Sequence, residues 1–208
     1  MALERKREKK EAYGEIETEH PGYLGAQDTY YVGTIKGVGR IYQQTFIDTY
    51  SRVAFAKLYD HKSAITSADI LNDKVLPFFE EQSIPLLRIL TDRGTEFKGS
   101  LQDHPYELYL HIEGIEHSKT QVQRPQSNGI CERLHRTIQD EFYAVAFRKK
   151  LYDNLDLLQK DLDDWMDYYN NERPHSGRHC FGNTPTQTFI ESLSLARQKL
   201  LDEAQPAA

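Results

Sequence analysis

Residues 28–34 read Asp-Thr-Tyr-Tyr-Val-Gly-Thr, a β-prone run that leads into a turn marked by Gly37 and Gly39. Two further runs rich in Tyr, Phe, Ile and Val follow at 40–50 and 52–60. Three consecutive strands with short connections predict an antiparallel meander. Beyond them the period changes. Thr66 to Glu81 carries Ile70, Leu71, Val75, Phe78 and Phe79 near helical spacing, with Thr66 or Ser67 available as a cap. Leu86 to Leu90 is a short apolar run, hence a buried strand, and it ends at Thr91-Asp92-Arg93-Gly94. A helix over Pro105 to Ile112 and a short strand over Ile115 to Ser118 come next. Asn128 then caps a long helix that runs to about Phe147, with Ile130, Leu134, Ile138, Phe142 and Val145 as its apolar stripe. Two more helices cover Leu155 to Tyr169 and Pro185 to Leu201. Three strands followed by alternating helix and strand predict an α/β fold: a mixed five-stranded sheet flanked by helices, with extra C-terminal helices.

Outward from this frame, residues 3–18 are rich in Lys, Arg and Glu and read as an exposed helix or arm, broken by Pro21 and Gly22. The division predicted is a charged arm at 1–21, a core at 22–190, and a helix end and tail at 191–208. A chain of 208 residues, 38% hydrophobic and 11% aromatic, can bury one real core. No apolar run approaches the roughly 20 residues needed to cross a bilayer, and Met1 to Glu19 has no apolar stretch of the kind a signal peptide needs. Only Cys131 and Cys180 are present, too few for a disulfide framework. These features predict a cytoplasmic protein with no membrane partner. The net charge of -6 counts against a dedicated nucleic-acid-binding module, which is usually basic. It does not count against a carboxylate-lined catalytic site, and positive charge is locally concentrated at Lys119, Arg124, Arg133 and Arg136, then Arg148 to Lys150.

Three acids stand at positions where chemistry gathers. Asp28 opens the first strand, Asp92 follows the fourth, and Glu132 lies in the first turns of the long helix. Ligand sites in open α/β sheets collect at strand ends. At 100° per residue, Glu132 lies about 200° from Ile130 and Leu134, off the apolar stripe and on the side of Arg136, Gln139 and Tyr143.

Several segments carry a resemblance: Asp28-Thr-Tyr-Tyr, Thr91-Asp92-Arg93-Gly94-Thr95-Glu96-Phe97, and Pro125-Gln126-Ser127-Asn128-Gly129-Ile130-Cys131-Glu132-Arg133. They resemble the integrase catalytic core of bacterial insertion-sequence transposases and retroviral integrases, the DDE superfamily. Phe46-Ile47-Asp48-Thr49-Tyr50-Ser51-Arg52 is similar to that family's second-strand motif, and Tyr169-Asn170-Asn171-Glu172-Arg173-Pro174-His175 to the motif that closes its core. The five occur in family order. The resemblance implies a ribonuclease-H-like fold and a DNA transposase or integrase that cleaves element ends and joins strands into target DNA. It implies Asp28, Asp92 and Glu132 as catalytic residues and as ligands of Mg²⁺ or Mn²⁺, two ions, with DNA as substrate and a homo-oligomer as the active form. Related transposases carry an N-terminal helix-turn-helix region that binds the element ends, and no counterpart is recognised here. The chemistry agrees. Mg²⁺ takes oxygen ligands and keeps water and substrate phosphate in its shell, and two such ions serve an in-line displacement.

Other residues have blander readings. Asp48 and Asn128 are expected to support the site by hydrogen bonds. Glu96 is either such a group or simply exposed. Lys119, Arg124, Arg133 and Arg136 are expected to contact DNA, although Arg133, His135 and Arg136 read equally as supports of Glu132 or as a solvated helix face. The polar segment Thr120 to Ser127 predicts a mobile loop over the site. Arg173 and His175 read as ties for the C-terminal helices. His175, His179 and Cys180 suggest zinc, but no second cysteine pair completes the set. Trp165 with Leu162, Met166 and Tyr169 reads as a helix core stripe. The alternatives to a transposase are an inactive relic or DNA-binding protein that keeps the fold, and a ribonuclease H. The closing motif and the Asn128-Gly129 entry to the helix favour the integrase branch.

Overall fold

The computed structural model describes residues 18–120 and 129–204. β1 (Gly25–Ile35), β2 (Gly39–Asp48) and β3 (Ala54–Tyr59) form the expected antiparallel meander. β4 (Arg88–Thr91) and β5 (Glu116–Lys119) add to the other side of β1 as parallel strands, which gives the order β3-β2-β1-β4-β5. Parallel neighbours cannot be joined by a tight turn and need a crossover. α1 (Ala64–Ile70), a π turn (Leu71–Val75) and α2 (Leu76–Glu81) supply the first, and α3 (Pro105–Ile112) supplies the second. Then come α4 (Gly129–Ile138), a second π turn (Gln139–Tyr143) and α5 (Ala144–Lys149), followed by α6 (Leu155–Asn171), α7 (Pro185–Glu191) and α8 (Leu193–Ala204). Among the described residues no helix is long and apolar enough to cross a membrane.

The sheet is covered on both faces. One face carries Ala26, Ile41, Ile47, Ala54, Ala56 and Leu58, which pack against Leu134 and Ile138 of α4 and Leu158, Leu162 and Met166 of α6. The other carries Phe46 and Ile89 against Ile70, Leu71 and Phe79, Tyr106 of α3 and Phe189 of α7. Successive strand residues alternate between faces. Ala26, Asp28 and Tyr30 therefore share the α4 face of β1, while Gln27 points the other way, donating to Ser67 O at 2.8 Å and accepting from Tyr106 Oη at 2.8 Å. Full burial of a side chain such as Phe46 is worth about 1.5–3 kcal/mol, so this double-sided cover fixes the register that aims Asp28 toward α4.

Several boundaries differ from expectation, each for a local reason. Asp28 does not open its strand; β1 begins at Gly25, and Asp28 pairs with Thr45 inside the ladder. The first helix is capped by Ser63 rather than by Thr66 or Ser67. Ser63 Oγ accepts from Thr66 N at 3.2 Å and Thr66 Oγ1 accepts from Ser63 N at 2.9 Å, a reciprocal capping box that puts Thr66 inside the helix. The long helix after Gly129 is interrupted by the π turn at Gln139–Tyr143. The extra residue rotates the buried face, so Phe142 and Tyr143 turn inward and Val145 is left 41% exposed. The C-terminal helix breaks at Ser192 into α7 and α8.

Candidate active site

The sheet brings the first two acids together. In the parallel β1–β4 ladder Gly25 pairs with Ile89 and Ala26 with Leu90. Continued by two residues, that register runs Asp28 toward Asp92, and Asp92 is the charge that acts most strongly on the Asp28 carboxyl. Thr91 closes β4, and Asp92 is held by a turn in which Gly94 N donates to Asp92 Oδ1 at 2.8 Å. Glu96 folds back in the same turn. A methyl group in place of a Gly94 hydrogen would lie 2.6 Å from Glu96 Oε2 and 3.0 Å from Asp92 Oδ1, so only glycine fits between the two carboxylates. Glu96 is buried, 4% exposed, and both its oxygens accept from Lys62 Nζ at 3.2 Å.

Glu132 enters from α4, exposed, in that helix's first turn. Its charge reaches the cluster. Burial, then Asp92, Glu96 and Glu132, push the Asp28 carboxyl up to about 7, against a lowering contribution from Thr29 N, which donates to Asp28 Oδ1 at 2.8 Å. The buried Cys131 thiol is pushed up first by burial and then by Asp28, Glu132 and Asp92. The three acids thus feel one another's charge. Among the described residues no group of three or more His, Cys, Asp and Glu side chains is placed to hold a metal ion.

Behind Asp28 runs a buried chain of polar groups. Tyr143 Oη donates to Gln43 Oε1 at 2.6 Å, Gln43 Nε2 donates to Thr45 Oγ1 at 2.7 Å, and Thr45 Oγ1 lies 3.0 Å from His135 Nε2. His135 Nδ1 faces Asp28 Oδ2 at 3.9 Å. That approach is no ion pair at neutral pH, because burial pushes the imidazole down to about 4. The Thr45 hydroxyl accepts from Gln43, so its own hydrogen is available to His135 Nε2. This arrangement favours the tautomer with hydrogen on Nδ1, directed at Asp28.

The family model described as Integrase core domain matches residues 113–179. Over 200 residues the chain is 31% identical to ORF3 of Spiroplasma virus SpV1-C74, described as an integrase; the match covers 92% of this chain and 53% of that protein. The chain is integrase-like in sequence and fold, with residues 113–179 matching the integrase core domain. A Pol polyprotein of the retrovirus-related transposon TNT 1-94 from Nicotiana tabacum is 30% identical over 121 residues, 54% of this chain and 8% of that protein. The chain thus spans about half the length of the first of these relatives and a small part of the second. Among solved structures, the fold matches the simian T-cell lymphotropic virus intasome with a TM-score of 0.63 at 16% identity, over 83% of this chain and 55% of that one. It matches the HTLV-2 integrase catalytic core domain in complex with magnesium with a TM-score of 0.58 at 16% identity, over 82% and 97%. It matches the BIV integrase catalytic core domain with a TM-score of 0.57 at 19% identity, over 84% and 97%. The ribonuclease-H-like fold expected from the motifs is the fold observed.

Within this integrase-like core the remaining candidates divide. Asp48 is fully buried, and its carboxylate accepts from Gly22 N at 3.0 Å, Ser51 N at 2.7 Å and Ser51 Oγ at 2.6 Å. It closes the β2–β3 turn and ties it to the chain's entry into β1; those bonds do not go to Asp28, Asp92 or Glu132. Lys119 is paired with Glu107, which also holds His117 at 2.9 Å. Arg124 and Asn128 lie outside the described residues, as does the predicted loop from residue 121 onward. Arg133 and Arg136 line a cleft on α4 with Arg173 and His175. His135, read as a possible helix-surface group, is buried behind Asp28. Glu96, read as a support of the site or as exposed, is buried; Gln43, Thr45 and Tyr143 are not singled out by the sequence as members of the site. A signal for two of them was present: Gln43 and Thr45 alternate with apolar residues on the buried face of β2, where a polar side chain needs a partner.

Proposed function

We propose that this core cleaves and joins DNA strands in transposition or integration, with Asp28, Asp92 and Glu132 holding Mg²⁺ or Mn²⁺. The observation that carries the reading is the juxtaposition of Asp28 and Asp92 across β1 and β4, with Glu132 close enough on α4 to raise the Asp28 carboxyl further. Three carboxylates that repel one another fit a hard divalent ion. When bound, two such ions supply charge to the attacked phosphodiester and to the attacking water or DNA 3′-hydroxyl.

The chain's own residues do the positioning. Gly94 N fixes one Asp92 oxygen, Thr29 N fixes one Asp28 oxygen, and His135 offers Nδ1 toward the other. α4 carries Glu132 to the rim, where it stays exposed and free to close on a bound ion. The active form is a homo-oligomer on DNA; the relatives include an intasome and cores in dimeric and trimeric form.

The test is a metal-dependent cleavage and strand-transfer assay on element-end DNA, run beside an RNA–DNA hybrid. DNA cleavage that requires Mg²⁺ or Mn²⁺, and that falls at least ~10²-fold in Asp92→Asn, supports the reading. Unchanged Mg²⁺-dependent cleavage by Asp92→Asn, or cleavage of the hybrid alone, overturns it.

A further inference from the structure

Along α4 the molecule has a cleft of about 940 Å³ whose walls are cationic. Three segments distant in sequence build it: Arg52 from the turn after β2, Arg133 and Arg136 from α4, and Arg173, His175 and Arg178 from the stretch after α6. Among the described residues no Asp or Glu lines it. Arg173 is bound by Glu141 at 2.6 and 2.9 Å. Among the described residues, Arg52, Arg133, Arg136 and Arg178 have no carboxylate within ion-pair distance. In a chain of net charge -6, Arg133, Arg136 and Arg178, together with an Arg52 that shares its charge with the buried Asp48, make a strong local positive potential around one cavity.

Arg52 is held there at a cost. It adopts a left-handed backbone, φ 72°, which a non-glycine residue takes only when its surroundings enforce it. Its Nη1 is buried without a hydrogen-bond partner, itself unfavourable. A side chain at Gly177 would meet His175 Nδ1 at 2.9 Å and Arg52 Nε at 3.1 Å, so the loop after α6 closes tightly on that guanidinium. His175 Nδ1 accepts from Gly177 N at 3.0 Å and is therefore neutral. At the rim stands Phe181, 88% exposed and also left-handed, φ 51°.

We propose that this cleft seats the sugar-phosphate backbone of the DNA strand that the acids act on, with Arg52, Arg133, Arg136 and Arg178 holding its phosphates. The inference rests on the DNA-processing reading above. Four cations and 940 Å³ exceed what one free phosphate needs, and they suit a chain of phosphodiesters. α4 joins the two sites: Arg133 follows Glu132 directly, and Arg136 lies one helical turn on. A strand advances about 3.4 Å of helix axis per nucleotide, so a strand with one phosphate at Glu132 reaches the cleft within a few nucleotides. Phe181 adds a ring for an unpaired base to stack on, the aromatic-plus-cation pairing that single strands use.

The test is fluorescence anisotropy of a labelled duplex with a single-stranded overhang, bound to the full chain in EDTA over a range of salt. Arg133→Gln with Arg178→Gln removes two exposed cleft charges. Lys98→Gln with Lys160→Gln removes two exposed charges elsewhere, and circular dichroism checks that both variants fold. The cleft variant is expected to flatten the slope of log K against log[salt] by about 1.8, roughly 0.9 per phosphate contact, while the control leaves the slope unchanged. Equal slopes in the two variants overturn the proposal, as does thermal protection by inorganic phosphate alone that matches protection by DNA. Because binding is read without metal, the two readings fail separately. Cleft-dependent binding without Mg²⁺-dependent cleavage removes the catalytic reading and leaves the cleft, and cleavage with cleft-independent binding does the reverse.

Discussion

His135 sits between Thr45 and Asp28: its Nε2 is 3.0 Å from Thr45 Oγ1, and its Nδ1 faces Asp28 Oδ2 at 3.9 Å. Partners behind a metal-binding side chain set its orientation, and losing them typically costs 10–100-fold in affinity or activity. Thr45→Val keeps the shape of the buried residue but removes the acceptor for Gln43 and the donor for His135. Mn²⁺ affinity and cleavage rate are both expected to fall about 10-fold or more. The ¹⁵N shifts of His135 should also move away from the Nδ1–H tautomer. Calorimetry with Mn²⁺ and a histidine NMR spectrum check this; an unchanged tautomer together with unchanged affinity removes the role assigned to the chain of polar groups.

Gly94 supplies a second test. A β-carbon there would press on Glu96 Oε2 at 2.6 Å and Asp92 Oδ1 at 3.0 Å. Both are the far ends of flexible carboxylate side chains, so Gly94→Ala is expected to move the acids rather than unfold the protein. Metal affinity should drop roughly 10–100-fold with a melting temperature close to that of the parent. Wild-type metal affinity in Gly94→Ala would show that the spacing between Asp92 and Glu96 is not part of the site.

At Gly25 the outcome reverses. An added β-carbon would lie 2.2 Å from Phe46 Cε2, a ring that is fully buried and packed against Phe79 and Phe55. Neither the ring nor the ladder can yield cheaply. Gly25→Ala should cost about 1–3 kcal/mol or more, read as a lower urea midpoint, and the strand that presents Asp28 should be distorted with it. A parent-like midpoint would mean that Phe46 has room to move.

The sheet was legible because its signals are local. The alternation in β1 to β3, the glycine turn at Gly37 and Gly39, and the apolar run before Asp92 each specify an element without long-range information. Asp28, Asp92 and Glu132 stand out in the sequence through their motifs, and in the fold their charges act on one another. The supports were not legible. Whether Glu96 is exposed or buried depends on Lys62, 34 residues away, and His135 reads as a surface histidine until the π turn and the β2 face enclose it. Asp48 looked like a support for the site because its motif lies in a strand; the turn geometry at Ser51 gives it a different task. The arginine cleft was split into separate readings because its residues come from three segments that only the packing of α4 and α6 on the sheet unites.

Acid should weaken the fold through its histidines. Burial holds His135 and His175 neutral and pushes both down to about 4; for His175 the neighbouring Arg52, Arg173 and Arg133 add to the effect. In the unfolded chain both titrate near 6.5. Between about pH 6.5 and 4 the unfolded state therefore binds protons that the folded state refuses, and stability falls as pH falls through that window. Asp28 acts in the opposite sense. Its carboxyl is raised to about 7, so the folded state holds a proton that the unfolded state releases, and acidification favours folding at that one group. Burial also raises the Asp48 carboxyl, and it lowers His117 and His179 as it lowers His135 and His175, so four histidines against two acids leave a net loss. Protonating His175 also removes the acceptor for Gly177 N at 3.0 Å and adds a cation beside Arg52. His175→Asn keeps an acceptor and does not titrate. Urea unfolding of the metal-free protein from pH 7 to 4.5 is expected to show stability declining with acid, with the slope reduced by about one proton in His175→Asn. Identical slopes in the two proteins would show that His175 is as free to protonate in the folded cleft as in the unfolded chain.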